Sequence, residues 1–588
     1  MTLSRTLASV VLAAATLVPA VALAQPAPGD PPQPAERTDP QSPLPPGSEH
    51  GLTAEQAADI ARQAVADALA NEREVQAKAA ADAEAKKAED AKAHDGDYIT
   101  GSGGFTDVRL AFTLTNENIL AKPGETIPSV PGWRFGRPNS LGTLFFDNYD
   151  TRFSGYETLS HAIMYRNFRR DHLEVEGAFV MRINEIAERK IDLSDAGSYV
   201  LVSWWKDPTH KDPTRWSFTA FPVSSDRFRL GYSYRLSWGG NEEYRRSGQA
   251  VPGFKLQYDS GQAYAFVGAK TAVLLDTSTA EQVAKQAVLA GVGYDVTPKV
   301  RLELNGGYFN RGSNELEDVN KEDVQLYGLS AQAAIHDGMP VQSSIDYKLY
   351  KYDPERIGRL FNKAKYPGGR QWLAMGELTY LAQTLKDPEK AGSTKIQPGI
   401  AGDINLRLMQ DRIRVRFDAQ YRDLAFILHS VPSLPTYSDF PDIYKIKPNF
   451  FAAVGVDRNW DDRLTLGAVF GVELPAALTT PAGIAGDTAA TGETTAVIRN
   501  NGNQTLITVL PSKMVNGQQK GEERAAQFAL KGSGQLDFGD IYSALVDVYY
   551  SYDPNQTRLV RGGPEETFRY EFGEFNQLGF NLTLQAKF

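Results

Sequence analysis

The chain has 588 residues, a formal net charge of −10 at pH 7, 23% charged residues and no cysteine. The negative balance excludes a nucleic-acid partner, which needs a basic footprint. The missing thiols exclude disulfides, Cys-ligated metals and thiol catalysis.

Residues 1–24 read as a secretory signal. Arg5 supplies the positive start, an apolar stretch runs from Leu7 to Ala24, and Ala22-Leu23-Ala24 forms a small-residue cleavage pattern before Gln25. A membrane anchor is the rival reading, but Pro19 breaks the run and no Cys follows to take a lipid. Residues 25–51 are Pro-rich, from Gln25-Pro26 to Pro45-Pro46-Gly47, and predict an extended linker with little to bury. Residues 52–95 predict an Ala-rich helix. Leu52 to His94 holds neither Gly nor Pro, Thr53 and Gln56 resemble a capping box, and Asp95-Gly96 supplies the stop. At 1.5 Å per residue the helix would reach roughly 60 Å. Its large apolar residues are few (Ile60, Val65, Leu69, Val75), so a coiled coil, a lone solvated helix and an Ala-seam contact all remain open.

Residues 96–588 predict a β-barrel. From Phe105 onward the hydrophobic period is two, clearest over Phe228–Trp238, Ile413–Tyr421, Leu464–Leu474 and Tyr542–Tyr552. The segments reach the length that a tilted strand needs to cross a bilayer, and no run of about 18 uncharged apolar residues offers a helix instead. Aromatics (26 Tyr, 28 Phe, 7 Trp) cluster near segment ends, as in membrane-interface belts. Ser225-Asp226, Thr297-Pro298, Asp337-Gly338, Gln410-Asp411, Asp461-Asp462 and Gly539-Asp540 read as tight turns on one side. The long polar stretches 185–197, 239–252, 311–323, 353–370, 423–449, 475–524 and 553–568 read as loops on the other. Counts from the two ends disagree in parity somewhere between Val341 and Arg407, and 198–222 holds either one strand or two. The fold class expected is all-β: a transmembrane antiparallel up-and-down barrel of about 18 strands, 16 to 22 at the limits.

The last ten residues put Phe580, Leu582, Leu584, Ala586 and Phe588 on one face. Here the chain resembles Gram-negative outer-membrane β-barrel proteins, a porin-like class whose final strand alternates this way and ends in an aromatic residue. The resemblance implies that Phe580, Leu582, Leu584 and Phe588 are an assembly signal read by the barrel-assembly machinery. It also implies a barrel in outer-membrane lipid and an N-terminal region in the periplasm, where 25–95 would meet periplasmic envelope proteins.

No zinc-protease spacing joins the seven His residues, and no nucleophile elbow, Walker, Rossmann or EF-hand pattern occurs. No enzyme, cofactor or metal is expected. The chemistry-bearing constellation is a row of charges on one face: Arg412, Arg414, Arg416 and Asp418, with Arg407 on the strand before them. Inside a water-filled barrel these would line the pore and favour anions. Equally, they would pair with Asp418, Glu303, Glu174 or Glu176 and only fill a polar interior. Basic residues Arg356, Arg359, Lys363 and Lys365 stand at helix-like spacing in 353–370, and Tyr437–Tyr444 is an aromatic loop suited to carbohydrate. Loop 475–524 would either plug the lumen or extend outside. Two functions follow: a pore for small polar solutes, or a barrel subunit of an envelope-spanning assembly for polysaccharide export, secretion or surface motility.

Overall fold

The computed structural model describes Thr100–Phe588 apart from 123–128, 137–143, 147–159, 226–227, 240–249, 277–280, 313–322, 340–365, 430–438, 482–492, 563–566 and scattered shorter positions. The expected signal, linker and helix (1–95) lie outside the described residues, as do Arg356, Arg359, Lys363 and Lys365.

Eighteen antiparallel strands close into a barrel. The first six are β1 (Thr100–Asn116), β2 (His161–Arg170), β3 (Leu173–Ala187), β4 (Tyr199–Trp205), β5 (Arg215–Phe221) and β6 (Gly253–Asp259). Next come β7 (Ala263–Asp276), β8 (Glu281–Thr297), β9 (Val300–Asn310), β10 (Gln325–Asp337), β11 (Arg370–Lys386) and β12 (Thr394–Gln410). The last six are β13 (Ile413–Arg422), β14 (Asn449–Trp460), β15 (Leu464–Leu474), β16 (Gln527–Phe538), β17 (Tyr542–Tyr552) and β18 (Asn576–Lys587). Each pairs with the next, and β18 closes on β1 from Arg109↔Lys587 to Asn116↔Phe580. Closure matters because an open edge in hydrocarbon would leave backbone N–H and C=O groups without partners.

Strict alternation makes these segments strands. In β14, Asn449, Phe451, Ala453, Asp457 and Asn459 are buried inside while Phe450, Ala452, Val454, Val456 and Trp460 are exposed outside. A helix would scatter that pattern around its axis. β1 starts at Thr100, five positions before the expected start at Phe105. Gly101–Gly104 joins by backbone pairing to β2, which a search for apolar alternation does not detect.

One rim carries tight turns at 171–172, 298–299, 411–412, 461–463 and 539–541. Asp171, Asp411, Asp461 and Asp462 take left-handed φ values of 51°, 52°, 49° and 55° there. Asp tolerates that region because its short side chain bonds to nearby backbone. The opposite rim carries the long connections 117–160, 222–252, 423–448, 475–526 and 553–575.

Three sequence readings are corrected. Phe228–Trp238 is not a barrel strand and Ser225-Asp226 is not a short-rim turn. Both belong to the connection 222–252, where Arg229–Leu230 and Trp238–Gly239 pair as a two-residue ladder. The pattern misled because Phe228, Leu230 and Leu236 pack inside the barrel instead of facing lipid. Asp337-Gly338 is likewise no two-residue turn: it opens the connection 338–369, and both ends of that connection lie on the short-turn rim. Gly338 bridges to Trp372, and Gly369 exchanges hydrogen bonds with Asp411 (Asp411 N to Gly369 O, 2.8 Å; Gly369 N to Asp411 Oδ1, 3.0 Å). With both ends of 338–369 on the short-turn rim, the parity conflict is removed. The alternative left open over 198–222 resolves to two strands, β4 and β5, joined by 206–214.

Candidate functional site: the barrel interior

Because side chains alternate, one face of all eighteen strands meets outside and the other meets inside. Outside is an apolar band with Val292, Leu304, Leu329, Ile404, Val454 and Leu530 exposed. Exposed aromatics flank it: Trp204, Trp216, Tyr294, Trp460, Phe538 and Tyr542 toward the short-turn rim, and Trp133, Phe254, Tyr327, Tyr380 and Phe450 toward the other. Inside, beside a cluster of apolar residues, many buried side chains are charged, including Glu174, Arg215, Lys255, Glu303, Glu377, Asp403, Arg422, Glu473 and Lys531. An apolar outer band, two aromatic girdles and a charged interior are what a bilayer imposes on a closed sheet. The fold is a closed, membrane-spanning β-barrel. Among the described residues no helix is long and apolar enough to cross a membrane.

No family model and no curated protein matches this sequence. The solved structures it is similar to include the outer membrane channel DcaP of Acinetobacter baumannii, at 9% identity and a TM-score of 0.37, covering 83% of this chain and 97% of that one. Pseudomonas aeruginosa OprD gives 11% and 0.35, covering 84% and 99%; OpdQ of the same organism gives 8% and 0.36, covering 83% and 98%. With TM-scores below 0.5 these likenesses decide nothing about this barrel; its own strand pairing does.

Described residues of the connection 222–252 form a strap inside the barrel. Its ends are held together by Ser225 N to Val251 O (3.0 Å) and Val251 N to Val223 O (2.8 Å). Between them Phe228, Leu230 and Leu236 are at most 1% exposed, packed in one apolar cluster with inward residues such as Tyr165, Tyr199, Phe221, Phe266 and Phe309. Phe228 stacks on Phe221 (6.1 Å) and meets the edge of Phe266 (6.2 Å). Although rooted on β5 and β6, the strap reaches β11, where Ser233 N donates to Glu377 Oε2 (2.8 Å). It also touches β13, where Gln420 Nε2 lies 3.5 Å from Ser233 Oγ.

A second inward element is the short helix α1 (Leu424–His429). Asp423 caps it, Oδ1 accepting Phe426 N at 2.6 Å while Oδ2 accepts Ile400 N at 2.8 Å. The helix lies so close to β12 that a Cβ at Gly399 would sit 2.6 Å from Phe426 N, so only Gly fits there. Arg311 ties it down, donating to His429 O and Gln383 Oε1, both at 2.8 Å. Burial draws the His429 imidazole down to about 4, with the Arg311 charge acting in the same direction. Residues 476–480, 494–501 and 504–509 form a small sheet with 445–447. Ala476 and Ile498 of this sheet pack on Leu424 and Ile427, so the described part of loop 475–524 covers α1. Phe440 of the aromatic loop packs there too.

The sequence-selected charges all stand on the inward parity, and three of the arginines have carboxylate or amide partners. Arg407 donates to Asp418 Oδ1 (2.6 Å) and Asn405 Oδ1 (2.9 Å). Arg414 holds Asp457 through two nitrogens (2.9 and 2.6 Å). Arg412 approaches Asp462 (3.6 Å) and donates to Asn459 (3.2 Å) at the rim. Arg416 is buried. The expected partners Glu303, Glu174 and Glu176 are elsewhere: Glu174 takes Arg169 and Trp205, and Glu176 takes Tyr165. Register explains this, since Asp457 sits directly opposite Arg414 on β14. Phe580, Leu582, Leu584 and Phe588 lie on the outward parity, and Phe588, 68% exposed, pairs by backbone with Val108 in both directions (2.8 and 3.2 Å).

What sequence reading missed is a transverse row. Glu303, Gln332, Glu377, Asp403 and Gln420 occupy successive register positions on β9 to β13, all inward and all less than a tenth exposed. They are far apart in sequence, so only pairing register brings them together. Among the described residues no group of three or more His, Asp or Glu is placed to hold a metal ion.

Proposed function

We propose that this barrel is a pore for small polar solutes, with Arg407, Arg412, Arg414, Arg416 and Asp418 among its lining. The observation that carries the reading is the charged inward face of an eighteen-strand ring. About eight strands fill their interior with side chains, whereas 16 to 18 leave an aqueous bore. A scaffold would have no use for so many charges that must be kept solvated or paired. On this reading the strap narrows the bore and sets the size limit. Proteoliposomes swelling in sugars of increasing mass test the reading. Uptake that falls off with size supports it, and no swelling from a correctly assembled barrel removes it.

The short-turn rim faces the periplasm on this reading, because β1 starts there and residues 25–95 precede it. The connection 338–369 starts and ends on the same rim and favours a second reading, a barrel subunit docked to a periplasmic partner. Tyr366 from this connection hydrogen-bonds Asp457 inside the barrel. Co-purification of a stoichiometric periplasmic protein, lost when 340–365 is deleted, would favour that reading. The outward Phe580, Leu582, Leu584 and Phe588 serve as the assembly signal, and the barrel itself carries no catalytic role.

A further inference from the structure

The seam where β18 meets β1 is uneven. β18 ends opposite Val108, with Phe588 the last residue, while β1 continues toward the short-turn rim as far as Thr100. Over that stretch β1 pairs with β2 on one side only, from Thr100↔Arg170 to Arg109↔His161. Val108 turns both its N–H and its C=O toward Phe588 (3.2 and 2.8 Å). Every second residue of an antiparallel strand points its backbone groups the same way. Ser102, Gly104 and Thr106 therefore aim theirs along the line that β18 has left. All three are exposed, and among the described residues no strand pairs with them there. Proteins guard such edges with Lys, Pro, a bulge or a covering segment. The stretch from Thr100 to Thr106 holds neither Lys nor Pro, and its pairing with β2 runs without a register shift. The charge beside this edge comes from β2. Arg166 pairs with Gly104 and lies across it: a Cβ there would stand 2.6 Å from Arg166 Cδ and 2.9 Å from Nη1, which donates to Tyr165 O (2.8 Å). With no side chain at Gly104, the guanidinium extends over β1 toward the open edge. Arg170, exposed and 4.0 Å from Asp171, stands opposite Thr100 on the same face.

We propose that this open edge of β1 accepts a strand from a periplasmic protein, an extended acidic segment that adds antiparallel to β1 in line with β18. The proposal rests on the reading that the short-turn rim faces the periplasm. Ser102, Gly104 and Thr106 give the incoming backbone its hydrogen bonds, as in strand addition to an exposed sheet edge. Residues directly opposite in a strand pair share a face, so the incoming residue opposite Gly104 meets Arg166 on the outer face. A carboxylate there gains a charge-assisted contact, whereas a Lys is repelled. Backbone pairing supplies the affinity and this position the selectivity. A second copy of the same edge fits poorly, because Thr100 to Thr106 has no carboxylate to offer.

The test is calorimetry on the purified full-length protein in detergent at low salt, with the peptide Thr-Val-Thr-Glu-Thr-Val-Thr as the probe. Its controls are the same peptide with Lys for Glu, and one N-methylated at the two Val and the Glu, which lacks the donors facing β1. Saturable binding of the unmodified probe is expected, weakened about tenfold or more in each control. Ser102→Pro and Thr106→Pro remove only edge-facing N–H groups, a change that sheet edges tolerate, and should weaken binding in the same direction. Arg166→Gln should narrow the preference for Glu over Lys. Should a Pro variant fail to show heat-modifiable migration, the N-methylated probe on the wild type still decides. No binding by the wild type, or equal affinity for the N-methylated probe, overturns the proposal. Location is tested separately, since Ser102→Cys carries the only thiol in its chain. It should react with a membrane-impermeant maleimide only after the outer membrane is opened; labelling in intact cells overturns the periplasmic partner. Ser102, Thr106 and Arg166 stand on the outward parity, so conductance reports on the pore reading independently of either result.

Discussion

Phe228 is the residue whose loss reports most on the strap. It is fully buried, stacked between Phe221 and Phe266, and so close to the wall that a Cβ at Gly268 would stand 2.7 Å from its Cζ. Phe→Ala in such a site costs about 3–5 kcal/mol. The barrel's strand ladder does not run through Phe228, so the cost falls on strap docking. At about 4 kcal/mol the docked-to-free ratio drops by roughly a thousandfold. Single-channel recording of Phe228→Ala should therefore show a larger mean conductance with added fluctuation, while heat-modifiable migration stays normal. Leu236→Ala should act in the same direction with a smaller step, because about 2–5 kcal/mol is removed. Wild-type conductance in assembled Phe228→Ala would show that the strap does not limit the path.

Three further outcomes are expected. Arg407→Gln with Arg414→Gln strips the cations from Asp418 and Asp457, so the reversal potential in a salt gradient should move toward cation selectivity, most at low salt where screening is weak; an unmoved potential would place both pairs away from the ion path. His429 has its folded pKa lowered to about 4, so its neutral form is required: stability is intact above the unfolded value of about 6.5 and is lost as pH falls from there toward 4. At pH 5 the loss is about 2 kcal/mol, read as faster hydrogen exchange over 424–429, and pH-independent opening would refute it. Deleting Phe588 removes two backbone hydrogen bonds to Val108 but little buried surface, so unassembled chain should accumulate while any assembled barrel keeps normal thermal resistance; undiminished outer-membrane levels would count against an assembly signal.

The barrel was legible because its rule is local. Alternation along Ile413–Tyr421 states which residues meet lipid, and the about 2–4 kcal/mol cost of a lipid-facing Arg at the midplane makes the opposite orientation untenable. The strap was not legible, since Phe228, Leu230 and Leu236 repeat with the same parity whether they face lipid or pack within a lumen. Connection 338–369 misled in a similar way, because Asp337-Gly338 is a turn signal that does not say how far away the next strand begins. The arginines were found, but their partners were not: choosing Asp457 over Glu303 needs the register of β13 against β14. The Glu303–Gln420 row is the extreme case, five residues over more than a hundred positions joined only by four successive strand pairings.

Single-channel conductance of the purified full-length protein in a planar bilayer tests the central claim most directly. A pore built on this polar lumen predicts stepwise, ohmic ion currents from the wild-type barrel, with larger steps from Phe228→Ala. A barrel that inserts, migrates as a heat-modifiable species and carries no current in either form would contradict it.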